Sequence, residues 1–182
     1  MTAKTATVAV KNILGLEKGI MMKEKVYEEL NKQVNMEIYS AYLYLSMATY
    51  FDAENLKGFS HWMKMQYEEE MEHAMKIYDY LYDQGQRVIL TQINAPQSKW
   101  ESPLFAFEDA YSHEQLVTSL INRLVDLVVG EKDHEANVFL QWFVTEQVEE
   151  EATADGVVQK LKLIGSSAKE LLSLDRELAQ RK

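Results

Sequence analysis

The sequence predicts an all-α protein, a four-helix bundle with a long crossover between helices two and three and a short fifth helix at the C-terminus. Apolar residues recur at steps of three and four along four long segments, which is the spacing of one helical face. Only two prolines and seven glycines occur in 182 residues, too few for the many turns of a strand-rich fold. The connection over residues 86–101 has no period and is long enough to cross the length of a bundle.

The chain divides shortly before the first predicted helix. Residues 1–22 mix small, β-branched and charged side chains without a steady period, so we interpret them as an N-terminal extension that need not be ordered. Residues 23–182 are interpreted as one domain. No stretch approaches the ~20 apolar residues needed to cross a bilayer, and the first 20 residues lack a continuous apolar region. We therefore expect a cytoplasmic protein without a membrane partner.

The first two helices are predicted from their core faces. The first begins at Lys23 and ends near Asp52, and its core face consists of Val26, Leu30, Val34, Glu37, Ala41, Tyr44 and Ala48. Asn55 is the expected N-cap of the second helix, and Gly85 suits its C-terminal end. The core face of this second helix consists of Phe59, Trp62, Gln66, Glu70, His73, Ile77 and Leu81.

The third helix opens with Ser102 as its N-cap and Pro103 at its first position, and it ends near Gly130. Because a connection that crosses the bundle precedes it, we expect it to run parallel to the second helix. Its core face consists of Phe107, Ala110, Glu114, Val117, Ile121, Leu124 and Val128.

Asp133 is the expected cap of the fourth helix, which Gly165 ends. The core face of this helix consists of Ala136, Phe139, Phe143, Gln147, Glu150, Ala154, Val157 and Leu161. Residues 167–170 form a capping-box pattern that opens a fifth helix, ending near Ala179.

The composition excludes several classes of function. The chain has no cysteine, which excludes disulfides, thiolate zinc sites and cysteine nucleophiles. Its formal net charge of −10 repels nucleic acid and attracts cations, so we expect no nucleic-acid partner. Solubility alone would explain this charge equally well.

All four apolar core faces are interrupted near their middle by polar or ionisable residues. The interrupting residues are Glu37, Glu70 with His73, Glu114, and Gln147 with Glu150. A buried carboxylate without a partner is unfavourable because it loses its hydration, and several carboxylates on facing helices raise one another's pKa. Cations between them relieve both effects. The four interrupted faces therefore predict a two-metal site between the helices. Carboxylate oxygens with one imidazole suit iron or manganese better than zinc or copper(I).

The interruptions follow a doubled pattern. Glu70 lies 33 residues after Glu37, and His73 follows Glu70 on the same helical face. The second pair of helices repeats both offsets, but it ends in Gln147 and Glu150 instead of Glu and His. A single glutamate at such a position is most often a boundary residue that reaches solvent. Matched interruptions on four helices are not explained in that way, and they are typical of di-metal carboxylate bundles.

Four stretches around these residues resemble the ferritins, and most closely the haem-free ferritins of bacteria and archaea. The stretches are residues 35–44, 69–73, 113–116 and 139–151, and the resemblance extends from about Met22 to the C-terminus. It implies ferroxidase activity, in which Fe(II) is oxidised by O₂ at a dinuclear iron centre and the ferric product passes to a stored mineral. No haem is expected.

The resemblance also implies the ligands. One iron would be held by Glu37, Glu70 and His73, and the second by Glu70, Glu114 and Glu150, so that Glu70 bridges the two ions. Because the second Glu-x-x-His is missing, we expect this site to pass oxidised iron on instead of retaining it as a cofactor.

Further positions match the family. Gln147 would be a hydrogen-bonding neighbour of the metals. Tyr44 resembles the family's tyrosine beside the centre, an electron donor or hydrogen-bond partner, although packing in the core explains it nearly as well. The residues that match the family's third iron site, at the inner surface near the dinuclear pair, are Glu69, Glu146, Glu149 and Glu150.

A hollow homo-oligomeric shell of 24 subunits is a further implication of the resemblance. The fifth helix would line its fourfold pores, and Asp133 and His134 would lie near its threefold pores, although a solvated His134 is the simpler interpretation. We interpret His61 as solvated, His113 as a surface residue or a residue behind the ligands, and the three tryptophans as packing residues.

Two alternatives remain. The first is another di-iron bundle, either an oxygenase or a peroxidase-like protein. Such sites usually have the second Glu-x-x-His that this chain replaces with Gln147 and Glu150, and a bacterioferritin is disfavoured for the same reason. A purely structural bundle without turnover is the alternative from a different class, although the first half of the chain has a usable ligand at every expected position. Growth of a ferric signal beyond two irons per chain would separate these interpretations.

Overall fold

A computed structural model describes residues 22–181, and its long helices form a four-helix bundle. The helices are α1 Glu24–Ala53, α2 Lys57–Asp83, α3 Pro103–Gly130, α4 His134–Ile164 and α5 Ala168–Leu178. This confirms the predicted all-α fold with a short fifth helix. The predicted N-terminal extension lies outside the described residues except for Met22, and the division at residue 23 stays a prediction. Within the described part of the chain, no helix is both long enough and apolar enough to span a membrane.

The connection between α2 and α3 runs alongside α1. Near the start of α1, the Asn31 side chain accepts from the N–H of Ile89 at 2.7 Å and donates to its carbonyl at 2.9 Å. Further along α1, Ser46 donates to the carbonyl of Gln97 at 2.6 Å. Because residue numbers rise together along both segments, the connection is parallel to α1 and returns the chain to the end where α2 begins. Helices α2 and α3 are therefore parallel, as predicted.

The interior of the bundle consists of two apolar clusters with polar residues between them. One cluster includes Phe51, Phe59 and Phe107, and the other includes Leu30 and Phe143. On each long helix, the residues that interrupt the apolar pattern fall between members of one cluster and members of the other. We call this set the polar layer, and we define it as Glu37, Glu70, His73, Glu114, Gln147 and Glu150.

Most of the predicted helix ends are confirmed. The side chains of Ser102, Asp133 and Ser167 each accept from the backbone N–H three residues on, at 3.3, 3.0 and 3.4 Å. Gly85 and Gly165 follow the ends of α2 and α4 with φ of 72° and 58°, a conformation that glycine adopts without steric cost.

The prediction that Asn55 caps α2 is wrong. Asn55 has a φ of 60° and belongs to the end of α1, because the next N–H, that of Leu56, donates back to the carbonyl of Phe51 at 3.0 Å. Asparagine tolerates this left-handed conformation and closes helices as glycine does.

The cap of α2 comes from α5. The N–H groups of Gly58 and Phe59 donate to the Asp175 carboxylate at 2.7 and 3.1 Å. This carboxylate satisfies two N–H groups of the first turn and suits the positive end of the helix dipole. The two backbones approach so closely that a Cβ on Gly58 would lie 1.6 Å from the Asp175 carbonyl oxygen. Glycine is therefore required at position 58 for α5 to dock.

We predict that Gly58→Ala lowers the free energy of unfolding by roughly 1–3 kcal/mol, the usual effect of overpacking, because α5 must move away from α2. Chemical denaturation followed by circular dichroism measures the change. The matched control is Gly156→Ala in α4, where an added Cβ meets nothing within 4 Å. This control should gain up to about 1 kcal/mol from helix propensity. Equal effects of the two substitutions would contradict the required close approach.

Candidate metal centre

The polar layer brings carboxylates from all four long helices into one buried region. Glu37 of α1, Glu70 of α2 and Glu114 of α3 are each at most 1% exposed, and Glu150 of α4 is 5% exposed. The helical period aims each of them inward, because its apolar neighbours on the same face belong to the two clusters. Among residues 22–181, no lysine or arginine forms a salt bridge with any of the four.

Glu37, Glu70 and His73 form one compact group. One potential ligand atom of each lies within 4.8 Å of the other two. Glu37 Oε1 accepts from the Gln33 amide at 2.9 Å, whereas Glu37 Oε2 is buried and has no hydrogen-bond partner in the described chain. Glu70 Oε2 is equally unpartnered and lies 3.5 Å from His73 Nδ1. Two buried acceptors without donors beside an imidazole form an arrangement that a cation satisfies.

Glu114 is held by hydrogen bonds to both of its oxygens. The hydroxyl of Tyr44, which is fully buried, donates to Oε1, and the Gln147 amide donates to Oε2 at 3.2 Å. The resemblance implies that Tyr44 is either an electron donor or a hydrogen-bond partner, and this contact is a hydrogen bond. Tyr44 and Gln147 therefore orient a carboxylate of the layer.

A second group consists of His73, Glu146 and Glu150. One potential ligand atom of each again lies within 4.8 Å of the others, and Glu146 Oε1 is 4.0 Å from His73 Nε2. The Gln66 amide donates to Glu150 Oε2 at 2.8 Å. The ring of His73 thus faces Glu70 with one nitrogen and Glu146 with the other, so it connects the two groups.

The four residues predicted for a third iron site are only partly brought together. Glu146 and Glu150 share the second group. Glu69 is half-buried and forms an ion pair with Arg181, in which Nη2 lies 2.5 Å from Oε2. Glu149 is exposed on α4 and belongs to neither group in the described chain.

Burial raises the pKa of every carboxyl group in the polar layer. The pKa of Glu37, Glu114 and Glu150 rises to about 7, and that of Glu70 rises well above its ordinary value. The charges of the other three carboxylates raise the pKa of Glu70 further. Hydrogen bonds from neutral donors lower the pKa of the other three against the effect of burial: Gln33 acts on Glu37, Tyr44 and Gln147 act on Glu114, and Gln66 acts on Glu150. The metal-free layer therefore holds protons near neutral pH, and a bound cation would replace them.

Burial has the opposite effect on the two buried histidines. It lowers the pKa of His73 to about 4, with a further contribution from Lys76, so the imidazole is neutral and able to bind a metal at pH 7. The pKa of His113 is also lowered to about 4 by burial. His113 Nε2 lies 2.7 Å from Ser40 Oγ and its ring contacts that of Tyr44. The surface interpretation of His113 is wrong, since the residue lies behind Tyr44.

Three residues that contact the site were not singled out from the sequence. Gln33 lies four residues before its partner Glu37, and this offset could have identified it. The periodicity places Gln66 on the core face of its helix, but its partner Glu150 lies on another helix, so the sequence pattern does not indicate that contact. Arg181 has no comparable signal, because it reaches Glu69 only through the docking of α5. The same docking half-buries His61, predicted as solvated, against the Arg181 carbonyl at 2.9 Å.

A bundle of four long helices around buried carboxylates and one neutral imidazole defines the class of ferritin-like metal-binding proteins. The sequence matches the Ferritin-like domain family over residues 27–164. The chain is 42% identical over 161 residues to the bacterial non-heme ferritin of Bacteroides fragilis, an alignment that covers 88% of this chain and 100% of that protein. It is 39% identical over 156 residues to the bacterial non-heme ferritin of Campylobacter jejuni, covering 86% and 93%.

Similar solved structures agree with these relatives. The open pore ferritin of the hyperthermophilic archaeon Archaeoglobus fulgidus superposes with a TM-score of 0.88 at 54% identity, covering 88% of this chain and 99% of that one. This chain belongs to the ferritin family.

The raised carboxyl pKa values predict an unusual dependence of stability on pH. Between pH 6.5 and 8.5, both buried histidines are neutral in the folded chain and at most about half protonated in the unfolded chain, where their pKa is about 6.5. The folded layer retains more protons than those histidines carry, on Glu70 and in part on the carboxyl groups with a pKa of about 7, so the net proton difference favours the folded chain. The metal-free protein should therefore lose about 1.4 kcal/mol of stability per pH unit for each retained proton. Thermal unfolding after chelation measures this loss.

The control for this prediction is the double variant Glu37→Gln, Glu114→Gln. It removes two of the raised carboxyl groups without a large change of volume, so its stability should depend less steeply on pH. A wild-type unfolding temperature that stays constant or rises over this range would contradict protonated carboxyl groups in the layer.

Proposed function

We propose that the protein stores iron by oxidising Fe²⁺ with O₂ at a dinuclear centre in the polar layer and by retaining the ferric product as a mineral inside a homo-oligomeric shell. The observation that supports this most directly is the pair of unpartnered buried oxygens on Glu37 and Glu70 beside the neutral His73. When both carboxyl groups are ionised, these two acceptors lack a donor, which costs about 1–3 kcal/mol for each. A proton shared between Glu37 and Glu70 relieves part of this cost in the metal-free protein, and a bound cation would relieve it in the ionised state.

The ligands of the first ion would be Glu37, Glu70 and His73. The second ion would lie between Glu70, Glu114 and Glu150, and the mutual influence of these charges on their pKa values supports their facing one another. Glu70 would then bridge the two ions. The four carboxylates supply the negative charge that two ferrous ions neutralise.

The oxidation balances with iron as the reductant and O₂ as the oxidant. Each Fe²⁺ gives up one electron, and two ions supply the pair of electrons that reduces O₂, which takes up two protons and leaves as hydrogen peroxide. Carboxyl groups with a pKa of about 7 release their protons when Fe²⁺ binds, so protons are available at the site. The donors Gln33, Tyr44 and Gln147 hold the carboxylates in position throughout.

Further ions would bind beside the dinuclear centre, where Glu146 and Glu150 lie with the outer nitrogen of His73. We propose that Glu69 and Glu149 complete this third site when iron is present. Because the names of the bacterial relatives describe non-heme ferritins, we extend the absence of haem to this protein.

A shell of 24 subunits, located in the cytoplasm, is part of the proposal. Large apolar side chains exposed on the single chain support assembly, among them Tyr82, Val138, Val148 and Leu163, which are 72%, 74%, 68% and 88% exposed. Mass photometry of the purified protein tests the number of subunits.

We predict that Glu70→Gln lowers the initial rate of Fe²⁺ oxidation in air by roughly 100-fold or more, because the Glu70 carboxylate is proposed to bind both ions. Loss of a residue behind the ligands typically costs only about 10–100-fold. Absorbance of the ferric product measures the rate, and an anaerobic Fe²⁺ titration counts the ions. Both ions should be lost together.

The control is Glu72→Gln, two positions away on the exposed face of α2, which removes the same charge outside the layer. Its rate should equal that of the wild type. If wild-type protein oxidised no iron faster than buffer, a structural role would replace this proposal, and retention of two tightly held ions without further turnover would favour an oxygenase.

A further inference from the structure

Arg181, beyond the end of α5, is fixed against α2 by three contacts. Its Nη2 donates to Glu69 Oε2 at 2.5 Å, and its guanidinium lies over the Trp62 ring, 4.5 Å from the centroid. Its carbonyl lies 2.9 Å from His61 Nε2. The side chain is only 18% exposed. The guanidinium is thus positioned by one charge-assisted hydrogen bond and by a cation–π contact.

This guanidinium stands beside the acidic residues of the proposed third site. Glu69 immediately precedes the bridging Glu70 in α2. The positive charge of Arg181 acts on the pKa of both Glu69 and Glu150, lowering each against the effect of burial. Arg181 is therefore paired directly with one of the four carboxylates to which a third ion would bind.

The pairing of Arg181 with Glu69 is incomplete. The second terminal nitrogen, Nη1, is buried and finds no acceptor among residues 22–181, so the guanidinium does not form the two-fold contact that arginine makes with a carboxylate at its strongest. A buried donor left without a partner weakens the bound arrangement. A divalent ion that is shared by several carboxylates can therefore compete with this single-point contact.

We propose that Arg181 is an internal counter-cation that competes with the third metal ion for Glu69. With the guanidinium in place, Glu69 is neutralised and the third position binds Fe²⁺ weakly. When a divalent ion occupies the position, the Arg181 side chain leaves Glu69. The inference rests on the proposed function, since it concerns the ion next to the dinuclear centre.

The test is a calorimetric titration of the full-length, metal-free shell with Zn²⁺, which binds without being oxidised, repeated with Fe²⁺ under nitrogen. Arg181→Gln should bind the third ion roughly tenfold more tightly than the wild type and leave the first two ions unchanged within about twofold. Arg181→Lys, which keeps the charge, should resemble the wild type. Arg176→Gln, on the exposed face of α5, is the matched control for loss of one arginine.

A second variant ties the effect to its carboxylate. Adding Glu69→Gln to Arg181→Gln should abolish the gain in third-ion affinity, because the freed ligand is then absent. In the wild type, the third equivalent of Zn²⁺ should also change the fluorescence of Trp62 as the guanidinium leaves its ring, and Trp62→Phe identifies that signal. This measurement does not depend on the stability of any Arg181 variant.

The outcomes separate the two proposals. A third-ion affinity that Arg181→Gln leaves unchanged or lowers, with two ions still bound and a lower unfolding temperature, would make Arg181 a structural tether and overturn the inference alone. Failure of the wild type to bind even the first two ions would overturn the proposed function and this inference together.

Discussion

The repulsion between carboxylates buried in one layer is the constraint on which the rest of this protein depends. Four glutamates from four helices share a region that solvent hardly reaches, and burial raises the pKa of each. Without a cation, protons must neutralise the layer. Under the proposed function, a bound cation would replace these protons, so iron binding would depend on pH.

Neutral donors restrain these carboxylates without neutralising them. Gln33, Gln66 and Gln147 each donate an amide hydrogen bond to one glutamate, and Tyr44 donates its hydroxyl to Glu114. A lysine or arginine in their place would satisfy the charge permanently and compete with the metal. The apolar clusters on either side of the layer pack the four helices against one another through contacts that involve no ion.

Helix α5 connects one end of the bundle to the site. Its Asp175 caps α2 at Gly58 and Phe59, and Arg181 then reaches Glu69. Arg181 is thus the only lysine or arginine among residues 22–181 that forms a salt bridge with a carboxylate proposed as a metal ligand. By our proposal it would compete with the outer ion and not with the dinuclear pair. Under that proposal, Arg181 would influence iron binding without entering the polar layer.

The sequence by itself determined the bundle and most of the polar layer. Apolar residues at helical spacing fixed four faces, and Glu37, Glu70, His73 and Glu114 interrupted them at matched positions, so both conclusions depended only on local periodicity. Local pattern also identified the caps at Ser102 and Asp133, whose partners are three residues away.

Only the tertiary structure decided what depends on distant parts of the chain. The cap of α2 is Asp175, 117 positions away from Gly58, whereas Asn55, the expected cap, ends α1. The pairing of Gln66 with Glu150 joins two helices, and that of Arg181 with Glu69 joins the segment after α5 to α2. These contacts follow from how α2, α4 and α5 pack, and the period of a single helix carries no information about which residue of another helix it meets.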